Sequence, residues 1–481
     1  MSESILVVDV GTSGVRAAVV RPDATVEHVH HRPTLPDSPA PGLVEFDANA
    51  LAAAALDVAH TALAEGGPVA AVGVTNQRAS TIVWDRATGE PLGPGLGWQD
   101  LRTLGQCLML KDQGIRVAPN VSATKVAHLL DEHDPGRTQD LCFGTVDSWI
   151  VWHLSGGALH VTDGSNAAIT ALTDENATGW DVPLLEVLSV PARMLPEIVD
   201  SSAVVGEAVA LDGSPPIAGL AGDQQASLIG QGCVRPGVAK ITFGTGGMLD
   251  TVVADRPAFH PRGKSGCFPI VTWRLGGAVT WGLEGAMLSA GTNVEWLRDD
   301  VGLIASAAES HEVAASVPDA GGVWYVPALL GLGTPQWDYG ARGSLFGITR
   351  GSTRAHVVRA VLEGVANRGA DLVEAAEADG GHRIASVRVD GGMSVNPTFV
   401  QAVSDAAQRP VEVSPVAEAT TLGAAFLAGL AVGTWGSLDD IAAAWQPARV
   451  VEPAGSFDRD RWREACRRAG AWIPALSAID F

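Results

Sequence analysis

Two short glycine-rich turns carry the residue types best suited to binding phosphate. In the first, residues 5–20 read as two apolar strands joined by the turn Gly-Thr-Ser-Gly at 11–14. Asp9 lies at the end of the first strand, and Arg16 follows the turn. Backbone N–H groups and hydroxyls of such a turn can surround phosphates while the acid faces a metal cation. Because glycine allows positive φ, an ordinary β-hairpin has the same composition, and this stretch alone leaves both interpretations open.

The same pattern returns in the second half of the chain. Residues 239–253 read as a strand, a Gly-Thr-Gly-Gly turn that begins at Gly244, and a second strand. Two similar hairpins half a chain apart indicate two related halves, each directing a turn at a shared cleft. We therefore expect the pair to hold a metal-bound polyphosphate.

Two further strands are predicted to end in polar residues. The apolar run at 69–74 leads into Thr-Asn-Gln-Arg, and the run at 217–221 leads into Gly-Asp-Gln-Gln. In open α/β sheets, ligands bind at the carboxyl ends of strands. Arg78 could instead be a solvated surface residue, and Asp223 a helix N-cap. The second hairpin follows Asp223 closely in sequence, which favours a catalytic base held in a cleft.

Composition limits the classes of function. The 481 residues suffice for about two or three domains. A net charge of −22 argues against a nucleic-acid surface, which needs a basic face. Five scattered cysteines without Cys-x-x-Cys spacing indicate reduced thiols in a cytoplasmic protein. No apolar run reaches the ~20 residues that span a bilayer, and no secretory signal is evident, so we expect no membrane insertion.

The remaining pattern is typical of mixed α/β structure. Asp47 is predicted to cap a helix over 48–65, and the region 217–244 is predicted to join two halves. Residues 387–396 read as a strand, a double glycine and a helix start, which suits a nucleotide. Further helices are predicted over 286–298, 354–379, 396–407, 419–431 and 458–472.

A series of short motifs, taken together, resembles one known family. In chain order they are DVGTSGVRA, VTNQR, GWQDLRT, GTVDSWIVW, HVTDGSNA, GDQQASLIGQ, KITFGTGG, VPALLGLGTPQWD, GITRG, VDGG and TTLGAAFLAGLAVG. The FGGY carbohydrate kinases carry similar motifs in this order, and the glycerol kinases among them are the most similar. The resemblance extends over almost the whole chain.

The resemblance implies an α/β, actin-like (ribonuclease H-like) ATPase fold with two duplicated domains around a central cleft. Residues 1–232 would form the N-terminal domain, which binds the polyol or sugar. Residues 233–481 would form the C-terminal domain on the nucleotide side, ending in a helix. The implied reaction is transfer of the γ-phosphoryl group of ATP, with Mg²⁺, to a primary hydroxyl.

The resemblance also assigns residues to the expected site. Asp223 would be the general base, and Asp9 and Asp223 would lie near the metal. Charge from the metal and from Arg78 would keep Asp223 ionised near neutrality. The substrate would contact Arg78, Ala79, Trp98, Asn120, Asp223, Gln224 and Met248. The nucleotide would contact Thr12, Ser13, Gly14, Arg16, Thr245, Gly291, Glu295, Gly392 and Asn396.

Four of these positions depart from the glycerol kinase pattern. Ala79 replaces an acid, Asn120 an aromatic hydroxyl, Met248 an aromatic ring and Glu295 a glutamine. An unpaired substrate hydroxyl loses ~1–3 kcal/mol, so the first three changes weaken glycerol binding and leave room for a four- or five-carbon polyol or ketose.

Several alternatives and consequences stay open at this stage. The chain could be a catalytically weak nucleotide-binding regulator, although the retained Asp9, Arg16, Asp223 and Thr245 argue against it. An actin-like or chaperone-type ATPase ranks last, because such proteins lack the TNQR and WQD segments. We expect a homodimer or homotetramer. We also expect no sugar-bisphosphate inhibition through residues 204–216, which lack the Gly/Arg-rich effector loop that some family members carry.

Overall fold

The strands of the protein belong mainly to two mixed sheets, as seen in a computed structural model that describes residues 3–416 and 418–479. In chain order the strands are β1 Ile5–Val10, β2 Gly14–Val20, β3 Val26–Pro33, β4 Glu45–Phe46, β5 Ala71–Asn76, β6 Ile82–Asp85, β7 Gly95–Leu96, β8 Leu141–Gly144, β9 Val161–Asp163, β10 Glu197–Val199, β11 Ser202–Glu207, β12 Pro216–Gly222, β13 Val238–Phe243, β14 Gly247–Val252, β15 Phe268–Leu275, β16 Ala278–Met287, β17 Trp324–Val326, β18 Ser344–Phe346, β19 Ser386–Asp390, β20 Val411–Val413 and β21 Arg449–Val451.

Helices cover the sheets and connect their strands. They are α1 Ala48–Gly66, α2 Leu104–Asp112, α3 Ala123–His133, α4 Val146–Leu154, α5 Gly164–Ile169, α6 Val182–Val187, α7 Asp223–Gly230, α8 Thr292–Glu295, α9 Glu309–Ala315, α10 Arg354–Gly380, α11 Pro397–Ala407, α12 Ala419–Val432, α13 Leu438–Ala444, α14 Arg459–Ala469 and α15 Pro474–Ser477, with short 3₁₀ turns at Ala192–Met194 and Gly392–Val395.

The two sheets repeat one arrangement. The first has the order β11-β12-β5-β1-β2-β3, and the second has the order β15-β16-β14-β13-β19-β20-β21. Each contains an antiparallel hairpin, β1–β2 or β13–β14, whose first strand pairs in parallel with the next strand of its sheet, β5 or β19. Beyond that strand, each sheet continues with one more parallel strand, β12 or β20, and then with an antiparallel strand, β11 or β21. The predicted duplicated α/β fold is therefore confirmed.

Both glycine-rich hairpins form as the sequence predicts. In the first turn the Gly11 N–H donates to Gly14 O at 2.9 Å. In the second, Phe243 pairs with Gly247 beside the turn. Asp47 caps α1 by accepting from the Ala50 N–H at 2.9 Å.

One predicted helix is wrong over its first part. Residues 286 and 287 were expected to be helical, but they are the last residues of β16 and pair with Met248 and Gly247 of β14. A short helix, α8, follows, and then a π-helical turn at Trp296–Asp300. The strand extends because pairing with the second hairpin satisfies its backbone, which outweighs local helix propensity.

Helix α12 belongs to the second half of the sequence but packs on the first sheet and on α7. A Cβ placed on Gly423 would overlap the carbonyl oxygen of Ala226 in α7, and one on Gly73 of β5 would lie 2.6 Å from Ala424 O. Side chains of α7 and α12 also share one buried cluster. Glycine at these contacts therefore sets how closely the two halves approach.

None of the helices within residues 3–416 and 418–479 combines the length and the apolar character needed to cross a membrane.

The close contact between α7 and α12 leads to a stability prediction. Gly423→Ala forces the two helices apart and should lower the free energy of unfolding by about 1–3 kcal/mol. The matched control is Gly105→Ala in α2, where an added Cβ meets no heavy atom within 4 Å. Chemical denaturation followed by tryptophan fluorescence compares the two variants. Equal stability of the two would contradict the packing account.

Candidate active site

The polar ends of β5 and β12 meet, because these strands are parallel neighbours in the first sheet. Gly222 pairs with Asn76, which places the residues that follow each strand side by side. Arg78 Nε lies 3.4 Å from Asp223 Oδ1. Asp223 begins α7, so its carboxylate is held at the start of a rigid helix. The structure thus brings together the two residues that the sequence singled out at strand ends.

A buried polar network behind these strand ends fixes their positions. Asn76 and Asn166 exchange side-chain hydrogen bonds at 3.0 and 3.1 Å. The Gly222 N–H donates to Ser165 Oγ at 3.0 Å. Asp163, fully buried, accepts from the N–H groups of Ser165 and Asn166. The motif HVTDGSNA contains Asp163, Ser165 and Asn166, but their contacts with Asn76 and Gly222 could not be predicted from spacing alone.

Glu284 is a site residue that the sequence did not indicate. It lies on β16 of the second sheet, is 5% exposed, and its Oε2 is 2.6 Å from Nη2 of Arg78. Burial raises the pKa of Glu284 to about 7, although Arg78 opposes this. Burial also acts to lower the pKa of Arg78, but Glu284 and Asp223 outweigh it and raise that pKa. The ion pair therefore connects the two sheets across the cleft.

Asp223 has competing influences on its ionisation. Burial raises its pKa, whereas Arg78 and a 2.7 Å hydrogen bond from the Gln224 N–H act to lower it. Arg78 thus lowers the pKa of Asp223 as expected, but burial has the larger effect, and the pKa stays above its ordinary value. The side chain of Asp223 is still 29% exposed, so its carboxylate can reach a ligand in the cleft.

Trp98 lies beside the first hairpin. Its indole Nε1 donates to Thr12 Oγ1 at 3.1 Å, and the residue is 40% exposed. Asn120 donates from Nδ2 to the Trp98 carbonyl at 3.1 Å, so this amide holds the Trp98 segment. Ala79 is buried next to Arg78, with a positive φ of 61°. Met248 is half-buried on β14.

Asp9 and Arg16 pair directly across the first hairpin. Burial raises the pKa of Asp9 to about 7; Arg16 opposes this, while Asp223 and Glu418 reinforce it. Arg16 forms an ion pair with Glu418, the residue before α12. The sequence did not reveal this partner. The first hairpin is thereby joined to the helix that connects the two halves.

Five of the predicted nucleotide residues belong to the second half, and their surroundings differ. Thr245 is exposed at the second turn, and the Gly291 N–H donates to Gly244 O at 2.8 Å, against that turn. Glu295 is exposed at the end of α8. A Cβ on Gly392 would meet open space. Asn396 caps α11 by accepting from the Phe399 N–H, and its Nδ2 donates to Ser310 Oγ.

Comparison with known proteins decides the family. Residues 4–230 match the model of the FGGY family of carbohydrate kinases, N-terminal domain, and residues 239–432 match that of the C-terminal domain. The chain belongs to the FGGY family of carbohydrate kinases. The expected family membership and kinase activity are thus confirmed.

Individual FGGY relatives are similar over their full length. A glycerol kinase of Aromatoleum aromaticum is 43% identical, covering 98% of this chain and 99% of its own. Glycerol kinase 2 of Thermotoga maritima is 42% identical, covering 97% and 99%. Among solved structures, Plasmodium falciparum glycerol kinase with ADP has a TM-score of 0.89 at 27% identity, covering 99% of each chain. A xylulose kinase from Brucella ovis has a TM-score of 0.86 at 26% identity, covering 99% and 100%.

Lys125 gives this FGGY kinase a testable pH dependence. The side chain of Lys125 is buried, and its Nζ donates to the carbonyls of Gly97 and Asn120 at 2.7 and 3.4 Å. Burial lowers the pKa of Lys125 to about 7 from 10.5. Between these values the unfolded chain holds the proton and the folded chain does not, so this group makes stability rise with pH.

The measurement is the free energy of unfolding of wild type and Lys125→Met between pH 7 and 9. We expect the wild-type stability to rise more steeply with pH, by up to ~1.4 kcal/mol per pH unit. Parallel curves would show that Lys125 keeps its ordinary pKa. Taking the difference between the proteins removes the contribution of the buried cysteines other than Cys107, whose charge interacts with Lys125.

Proposed function

We propose that this protein transfers the γ-phosphoryl group of ATP to a primary hydroxyl of glycerol, giving glycerol 3-phosphate. The observation that carries the proposal is the Asp223 carboxylate, placed at the start of α7 with Arg78 Nε 3.4 Å away. The near full-length similarity to proteins named glycerol kinase supports this substrate first.

In this mechanism Asp223 accepts the proton of the attacking hydroxyl. Phosphoryl transfer needs little covalent assistance from the protein, so positioning and charge carry most of the catalysis. Arg78 and Gln224 hold the polyol beside Asp223, and Trp98 forms one wall. The hydroxyl oxygen then attacks the γ-phosphorus, and ADP leaves.

The phosphates of ATP are held by the two hairpins. Thr12, Ser13, Gly14 and Arg16 contact them from the first half, and Thr245 contacts them from the second. Gly291, Glu295, Gly392 and Asn396 line the remainder of the nucleotide site. Arg16 shares its charge between Glu418 and the phosphates, because the ion pair with Glu418 occupies only part of its guanidinium.

The acidic residues fit a magnesium ion. Asp9, which is half-buried, and the nearby Asp223 each have a raised pKa, and the charge of Asp223 contributes to the shift at Asp9. A divalent cation relieves such repulsion, and Mg²⁺ is commonly held by one or two carboxylates together with substrate phosphates. When bound, the ion neutralises charge on the transferred phosphoryl group.

A larger four- or five-carbon polyol or ketose is the second candidate. Ala79 supplies no carboxylate after Arg78, and the Asn120 amide donates to the Trp98 carbonyl at 3.1 Å. A cavity of about 500 Å³ lies against Thr12 and both sequence neighbours of Trp98, but none of the predicted substrate residues lines it.

Three further expectations remain predictions. A catalytically weak regulator would bind nucleotide without turnover. The assembly is a homodimer or homotetramer. Residues 204–216 form the end of β11 and its turn into β12, and no sugar-bisphosphate inhibition acts through them.

Coupled ADP-release assays test the activity. Glycerol, dihydroxyacetone, erythritol, threitol, xylitol and pentuloses are compared, and we expect glycerol to support turnover. Asp223→Asn should lower kcat by about 10²–10⁴-fold while ATP still binds, because the proton acceptor is lost. ATP binding with no turnover of any acceptor would favour the regulator instead, and a preference for a longer acceptor would favour the second candidate.

Restoring the missing acid tests the basis of specificity. Ala79→Glu returns a carboxylate next to Arg78 and should lower KM for glycerol by about tenfold, the equivalent of one recovered hydrogen bond. Ala79→Gln is the control, having the same length without the charge. An unchanged or raised KM in Ala79→Glu, in a protein that melts like wild type, would show that this position does not face glycerol.

A further inference from the structure

Lys240 is a fully buried cation within the cleft wall that the proposed mechanism does not use. It lies on β13 of the second half, four residues before the second turn, and is 0% exposed. Its ammonium donates to Gln224 Oε1 at 2.6 Å and to Thr242 Oγ1 at 3.1 Å. Asp250 Oδ2 lies 2.9 Å away. The ammonium therefore makes two hydrogen bonds and one ion pair.

The charge of Lys240 belongs to a row across the second sheet. Lys240 pairs with Asp250 of β14, and Asp250 pairs with Glu284 of β16, so the three side chains lie on one face of adjacent strands. Glu284 then contacts Arg78. At one end of the row, Lys240 contacts Gln224. At the other end, Arg78 contacts Asp223, the residue before Gln224 in α7. The row is therefore a closed circuit that includes three of the predicted substrate residues, Arg78, Asp223 and Gln224.

Within this circuit, the contact with Lys240 decides which way the Gln224 amide faces. An amide has one oxygen that accepts and one nitrogen that donates, and the two are nearly identical in shape. A buried ammonium can bond only to the oxygen. Once Oε1 is engaged, the Nε2 group is the part of the side chain left for the cleft.

We propose that Lys240 is a positioning residue that orients the Gln224 amide, so that Gln224 recognises an acceptor oxygen of the substrate by donating to it. This inference rests on the proposed function, because it names how one of the predicted substrate contacts is used. Asp250 balances the charge of Lys240 and allows the ammonium to remain buried. Arg78 and Gln224 then both present donors to the polyol, and Asp223 is the acceptor that takes its proton.

A mutant cycle tests the proposal. Lys240→Met alone would leave Asp250 buried without a partner, so the orienting pair is removed as Lys240→Met/Asp250→Leu. This variant should raise KM for the polyol about tenfold, with kcat within about twofold of wild type and KM for ATP unchanged. Gln224→Leu should raise KM by a similar factor. In the paired background, Gln224→Leu should add less than twofold, because the amide is no longer oriented.

Two controls separate orientation from damage to the fold. Lys264→Met removes an exposed lysine and should leave kcat, both KM values and the melting temperature unchanged. Gln224→Glu keeps the contact with Lys240 but has no N–H to donate, so it should raise KM as much as Gln224→Leu. Wild-type KM in Gln224→Glu would overturn the proposed donor. If the increases in KM caused by the paired substitution and by Gln224→Leu multiply in the combined variant, the two act independently, and the link through Lys240 is overturned.

The outcome also separates this inference from the proposed function. If wild type turns over no polyol, the proposed function fails, and the same variants are compared by the rise in melting temperature that glycerol produces. The orientation is supported if glycerol raises the melting temperature of wild type and if this rise is lost to the same extent in Gln224→Leu, in the paired variant and in their combination. If glycerol moves the melting temperature of no variant, wild type included, the inference is overturned as well.

Discussion

The cleft depends on a buried ion pair between its two halves, the guanidinium of Arg78 and the carboxylate of Glu284, 2.6 Å apart. Removing one partner of such a pair typically costs about 3–5 kcal/mol, because the other charge stays buried alone. Arg78 stands at the end of β5, and Glu284 on β16, so their contact fixes the first sheet relative to the second. Asp223 contacts the same guanidinium, so the proposed base is next to the ion pair that joins the two halves.

Close helix packing supports the same relation between the halves. Helix α12 continues the second half of the sequence yet lies on the first sheet, and its Gly423 admits the backbone of α7. The residue before α12, Glu418, pairs with Arg16 of the first hairpin. Asp223 begins α7, so the helix that carries the proposed base is held on one side by α12 and on the other by the charged row of the second sheet.

Much of this arrangement could be predicted from local sequence, and the rest could not for a physical reason. The hairpins at 11–14 and 244–247, the cap at Asp47 and the meeting of Arg78 with Asp223 follow from turn chemistry and strand ends. Glu284 and Glu418 act through arginines far away in the sequence, and an isolated acid carries no sign of such a partner. The helix expected at 286–298 was partly wrong because strand pairing with β14, another long-range contact, overrode local propensity.

Phosphorus NMR of the reaction mixture tests the central claim most directly, namely that a primary hydroxyl receives the γ-phosphoryl group of ATP. With glycerol, ATP and Mg²⁺, the account predicts a new phosphomonoester signal, split into a triplet by the two protons of one CH₂ group, rising as the γ-phosphate signal of ATP declines. A doublet would mean that the secondary hydroxyl is the acceptor. Free inorganic phosphate as the only product would mean ATP hydrolysis, and would contradict the account.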